Sequence, residues 1–235
     1  MKKLLSLVFL SLCILGFLPV KKTKTIQINV SAILKARPVT VLNNGKLITW
    51  TKGIDGGGSG DGYLTMSAAL FNGDKTPHAL PDKPIFAAND SHPEIVLHYS
   101  NKDTAGNQTL NVAGEGEFEF NVPEHTYSSM FLCLTSSEGP SQLQFQLIYE
   151  DGTEGQNFLL PDYYDDLKPN DTNIMYVAHD LAKWDNKNKM RETNHHNIDA
   201  VNIHPNTKRV LTAIKVTKAK AGYLVFWGAT GVTAD

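Results

Sequence analysis

Glu117-Phe118-Glu119-Phe120-Asn121-Val122 and Gln142-Leu143-Gln144-Phe145-Gln146-Leu147 exchange polar and apolar side chains at almost every step. Side chains on an extended strand point to opposite faces in turn. Each stretch therefore reads as a strand of an antiparallel sheet with one face against a core and one in water. Outward from these two, Ile26, Ile28 and Val30 follow the same rule, as do Ile95, Leu97 and Tyr99. Tyr127 to Leu134 is nearly all apolar, the pattern of a central strand covered on both faces. Glu150-Asp151-Gly152 marks a tight hairpin. Tyr63 to Phe71 reads as a strand, and Val210–Thr217 and Tyr223–Trp227 read as a closing pair. Short strands with regular turn signals predict an all-β chain built as an antiparallel β-sandwich or jelly roll. Residues 161–204 break the pattern. They are rich in Asp, Asn and Lys and read as one long irregular loop region, with a short helix near Val177–Trp184.

The N-terminus reads as a leader. Lys2 and Lys3 precede an apolar run from Leu4 to Val20, and Lys21, Lys22 and Lys24 close it. Residues 1–25 are expected to be a signal peptide, with an uncleaved anchor as the alternative and the only membrane contact the sequence implies. Residues 26–235 are expected to form a single domain in the periplasm, at the cell surface or outside the cell. Cys13 sits in Leu10-Ser11-Leu12-Cys13, where the bulky Leu12 argues against lipidation. Beyond the leader only Cys133 remains, within an apolar run, so it reads as a buried small hydrophobe. The formal net charge of −2 and the lack of a basic stripe exclude a nucleic-acid partner. Oligomeric state is not written in the sequence.

The order of four segments resembles the galactose-binding-like jelly-roll modules associated with secreted glycoside hydrolases. They are Gly60-Asp61-Gly62-Tyr63; Phe118 to Pro123 with Tyr127; Leu147 to Gly152 with Leu160-Pro161-Asp162-Tyr163; and Leu211 to Ile214 with Leu224 to Thr230. The resemblance implies glycan binding through loops at one end of the sandwich, often beside a structural calcium ion. A fold likeness alone does not establish function.

The residues offer several chemistries. Gly53 to Gly62 is a glycine-rich loop; without Gly-Lys-Ser/Thr or a following helix it is no phosphate cradle. Asp55 and Asp61 within it would supply hard oxygen ligands to calcium, the other reading being a flexible connector. Asp162, Asp165, Asp166 and Asp171 form a second acidic cluster, which solvent alone can separate. Trp50, Tyr63, Tyr163, Tyr164 and Trp184 lie beside short polar residues, as rings that stack on sugars do; the alternative is that they pin loops to the sandwich. Trp227 is assigned to the core. His195 and His196 are the candidate bases if the chain is an enzyme, a polysaccharide lyase or glycoside hydrolase. Being adjacent they point apart, but either could meet His179 or His204. The leading expectation is an exported, non-catalytic carbohydrate-binding module. A small polysaccharide-degrading enzyme and a ligand-free surface protein are the alternatives.

Overall fold

The computed structural model describes residues 23–75, 78–219 and 222–234. The leader lies almost wholly outside them. The chain forms, in order, β1 (Thr23–Ile28), β2 (Val39–Asn43), β3 (Lys46–Ile48), β4 (Tyr63–Leu64), a short helix α1 (Met66–Phe71), β5 (Ile85–Phe86), β6 (Ile95–Val96), β7 (Leu110–Ala113), β8 (Gly116–His125), β9 (Tyr127–Ser137), β10 (Ser141–Tyr149), β11 (Gly152–Leu160), β12 (Ile174–Trp184), β13 (Met190–Ile203), β14 (Leu211–Lys218) and β15 (Tyr223–Ala234). No helix among the described residues is long and apolar enough to cross a membrane.

The two alternating stretches fall in one antiparallel sheet, ordered β11-β10-β14-β8. Phe118, Phe120 and Val122 from β8 and Leu143, Phe145 and Leu147 from β10 are buried, while the Glu, Asn and Gln residues between them face water. Pro123 does not end β8. The strand lies at the sheet edge, where a missing N–H disturbs no ladder on its open side. Tyr127 then anchors the corner by donating its hydroxyl to the Pro123 carbonyl at 2.7 Å.

The second sheet runs β1-β15-β9-β13-β12, with β7 also on β15. Its inner face supplies Leu132, Leu134, Val201, Leu224 and Phe226 to the shared core. Phe226 packs on Phe118 and Phe120 with ring centroids 4.9 and 5.3 Å apart. Full burial of such side chains contributes about 1.5–3 kcal/mol each. Two packed antiparallel sheets make this a β-sandwich. The outer face of the second sheet is covered too. Residues from 39 to 99, among them Val39, Val41, Ile54, Tyr63, Leu80, Leu97 and Tyr99, build a second core on Phe131, Cys133, Val225 and Trp227. This extra layer explains why β9 is apolar on both faces, and burial pushes the Cys133 thiol pKa up.

Three local expectations are corrected. Residues 161–204 are mostly sheet: β12 and β13 form a long hairpin, and no helix occupies 177–184. Register shifts at four places along this pair break the two-residue period that would have revealed it. The irregular part of the chain is instead the covering layer between β3 and β7. The predicted strand over 63–71 is β4 followed by α1. Finally, β14 and β15 belong to different sheets and do not pair with each other.

Candidate functional site

The glycine-rich loop folds into a compact, hydrogen-bonded curl. Gly56, Gly57 and Gly58 have φ of 55°, 62° and 90°, a run of left-handed residues that only glycine adopts without strain. This curl wraps the chain around Asp55. Its carbonyl accepts from the Gly58 and Gly60 amides at 2.7 and 3.1 Å, and its Oδ1 accepts from the Asp61 amide at 2.6 Å. The remaining oxygen, Oδ2, is aimed at β12.

There it meets Lys183. Ala182 and Trp184 pack with Leu64, Ala68 and Ala69, while Lys183 is buried beside the 163–164 corner. Its Nζ donates to Asp55 Oδ2, Tyr163 Oη and Tyr164 Oη, each at 2.9 Å. An ammonium has three donors, and all three are used. Asp61 Oδ2 and Glu192 Oε2 stand behind at 3.7 and 3.9 Å. Tyr163 donates its own hydroxyl hydrogen bond to Asp55 Oδ2 at 3.1 Å, and Tyr164 donates to Glu192 Oε2 at 2.7 Å. Burial alone would favour the neutral amine. Hydrogen bonds to Tyr164 and Asp55, and the Asp55 charge, outweigh it and hold the ammonium above its ordinary pKa. Burial, reinforced by the Asp55 charge, raises the Asp61 pKa.

His196 completes the corner. It is fully buried, 5.3 Å from the Tyr163 ring and 4.8 Å from the Tyr164 ring. Its Nδ1 lies 2.6 Å from the Leu181 carbonyl and its Nε2 lies 2.7 Å from Glu192 Oε2. Both partners accept, and a neutral imidazole has one N–H. Both contacts are hydrogen bonds together only when a second proton is present. At Glu192, burial is outweighed by hydrogen bonds from Tyr164 and His196, which hold the carboxyl below its ordinary pKa. Burial outweighs the Leu181 carbonyl and Glu192 and holds the ring's pKa below its ordinary value.

Of the residues picked from sequence, Asp55, Asp61, Tyr163, Tyr164 and His196 come together. Lys183 and Glu192, which join them, were not foreseen. The aromatic group divides. Trp50, Tyr63, Tyr163 and Trp184 are buried, so as placed they offer no face to a sugar; the pinning alternative describes them. Trp50 lies so close over Gly62 that a Cβ there would meet its ring at 2.6 Å. Only Tyr164 is open, at 43% exposure.

His195 and His196 point apart, and His195 meets His179 across Asp180. His195 is exposed and faces Asp180 at 3.6 Å, with His179 on the other Asp180 oxygen at 3.3 Å. His204 lies apart, against Asn173.

Asp55 and Asp61 converge as a calcium site would require, but around an ammonium. A cation there would have to displace a lysine whose donors are all paired, so these residues do not fit calcium. No three His, Cys, Asp or Glu side chains among the described residues are grouped to hold a metal ion. In the second acidic cluster, Asp162 and Asp171 cap turns. Asp162 accepts from the Gly139 and Tyr164 amides, and Asp171 from those of Asn173 and Ile174.

The result is a corner in which one exposed ring is fixed at its hydroxyl from two sides and backed by two other rings, with Glu192 beside it at 45% exposure. It can present a flat apolar face and a hydrogen-bonding carboxylate to a ligand without reorganising. Comparison of the chain with models of known families and with curated proteins finds no match.

Proposed function

We propose that the protein is an exported carbohydrate-binding β-sandwich of the galactose-binding-like kind, with its ligand lying against Tyr164 and Glu192. The observation that carries this reading is the state of Tyr164. Its ring is open to solvent, yet its hydroxyl is held by Lys183 and Glu192 and its face by Tyr163, 4.5 Å away. A ring with few rotamers to lose stacks on the C–H face of a sugar at low entropic cost. Glu192 would then accept from sugar hydroxyls, with Asp61 set deeper behind it.

A second reading, a hydrolase or lyase, is favoured by the 2.7 Å contact between His196 and Glu192. His196 itself is sealed from any substrate, so Glu192 would have to deliver a proton. A glycan array followed by product analysis of each hit separates the two. Binding without cleavage supports the module. New reducing or unsaturated ends support the enzyme, and no hit on any glycan overturns both.

A further inference from the structure

Helix α1 is packed inside out. Its buried residues are the small ones, Ala68 and Ala69, which rest with Leu64 and Ala182 on Trp184. Its large residues at the C-terminal end, Leu70 and Phe71, are 52% and 56% exposed. A surface helix ordinarily turns its apolar stripe to the core and its polar residues to water. Apolar side chains gathered in the open mark a contact surface.

The turn between β12 and β13 joins the same corner. Asn72, the residue after α1, donates its side-chain amide to the Asn188 carbonyl at 2.7 Å. Met190 stands opposite Trp184 in the register, so it lies on the face of the hairpin that α1 covers, and it is 37% exposed. Lys187, Lys189 and Arg191 alternate with these positions and are exposed. The acids of the two segments turn inward. Asp185 Oδ1 accepts from the Lys187 and Lys189 amides, each at 2.9 Å, and its Oδ2 stands 3.5 Å from Arg191 Nε. Asp74 has its Oδ2 buried. Glu192 Oε2 faces Tyr164 and His196, each at 2.7 Å.

The corner thus shows bare apolar side chains among outward cations, on a chain whose formal net charge is −2. An anionic sugar polymer or a polyacid would pair with the cations and gain nothing from Phe71. An anionic bilayer uses both. Its phosphates lie at the surface, and the boundary of its acyl chains lies a side chain's length below. We propose that this corner docks on an anionic phospholipid bilayer, with Leu70, Phe71 and Met190 entering beneath the headgroups and Lys187, Lys189 and Arg191 pairing with the phosphates. The proposal stands apart from the sugar reading and from the leader.

Hydrogen exchange of the full chain, read by mass spectrometry in peptides covering 66–75 and 185–191, tests it. The vesicles are phosphatidylcholine alone, or phosphatidylcholine and phosphatidylglycerol in equal parts. The leader is itself apolar, so local protection is read rather than capture of the chain. Slower exchange in both segments is expected with the mixed vesicles. The lipid concentration that half-protects them should rise about fivefold for each of Lys187→Ala and Lys189→Ala, and about tenfold for Phe71→Ser. All three side chains are exposed, and a melting curve checks each variant's fold. Protection that is absent from these segments, or unmoved by the three variants, overturns the proposal. Equal protection by phosphatidylcholine alone or by soluble polyglutamate also overturns it. So does protection that grows with protein concentration without lipid, which would make the occupant a second copy of the chain.

Discussion

Lys183 and Asp199 sit on neighbouring strands of the same sheet, both buried, and their surroundings could hardly differ more. Lys183 has a partner for each donor and two more carboxylates behind them. Asp199 is 1% exposed, and its Oδ1 finds no hydrogen-bond partner among the described residues. Burial alone then decides its chemistry and pushes its pKa up to about 8. Burial by itself costs a charged group its water. Whether it remains charged depends on what replaces that water. In one region the fold keeps an ion; in the other it favours the neutral acid.

The comparison breaks most visibly at the lysine. Lys183→Met leaves Asp55 with the Tyr163 hydroxyl and no cation, and removing one partner from a buried ion pair typically costs about 3–5 kcal/mol. Urea unfolding should show a loss of that order, with the glycine loop exchanging its amide hydrogens faster than β9. Unchanged stability would mean the network contributes nothing.

Asp199 should respond in the opposite direction. Its folded pKa of about 8 lies above the ordinary 3.8, so the fold favours the protonated form. The penalty is absent below about pH 4, grows as pH rises towards 8, and is constant above that. At pH 7 its upper limit is about 4 kcal/mol, at about 1.36 kcal/mol per pH unit. Asp199→Asn should therefore stabilise the protein at neutral pH, and the gain should shrink to nothing near pH 4. A variant less stable than the parent at pH 7 would show that the carboxylate has a partner after all.

A smaller effect sharpens the His196–Glu192 contact. In Glu192→Gln the amide can donate to a neutral His196, so pairing no longer calls for a second proton. Stability should change by about 1 kcal/mol or less, and the pH dependence of the His196 ring resonances should flatten. If the parent's His196 resonances already show no titration linked to Glu192, no proton is shared.

The legible parts of the chain were those where one physical rule governs many residues. Alternation in β8 and β10 announced a half-wet sheet, and the apolar run of β9 announced a strand covered twice. The turn at Glu150–Gly152 joins β10 to β11 as its residues required. The rule failed where bulges interrupt it. Along β12 and β13 the register slips repeatedly, so a hairpin read as a loop. The site was half legible for a related reason. Asp55, Asp61, Tyr163, Tyr164 and His196 stood out by residue type, but their meeting point is a lysine, which sequence reading places at the surface by default. Glu192 was hidden among the polar residues of a segment already misread. The rings Trp50, Tyr63 and Trp184 looked suited to sugars because of their neighbours in sequence. Tyr63 is buried on Trp227, and Trp184 among Leu64, Ala68 and Ala69, partners distant along the chain.

The central claim is that Lys183 and Glu192 hold Tyr164 as a rigid, open platform for a sugar. Calorimetric titration of the strongest array ligand into the parent protein and into Tyr164→Ala tests it most directly. The account predicts clear binding by the parent and a loss of about tenfold or more in the variant, as for a stacking anchor, with a melting temperature lowered by the acceptor that Lys183 loses but a cooperative unfolding transition retained. Equal affinity in the two proteins would contradict it.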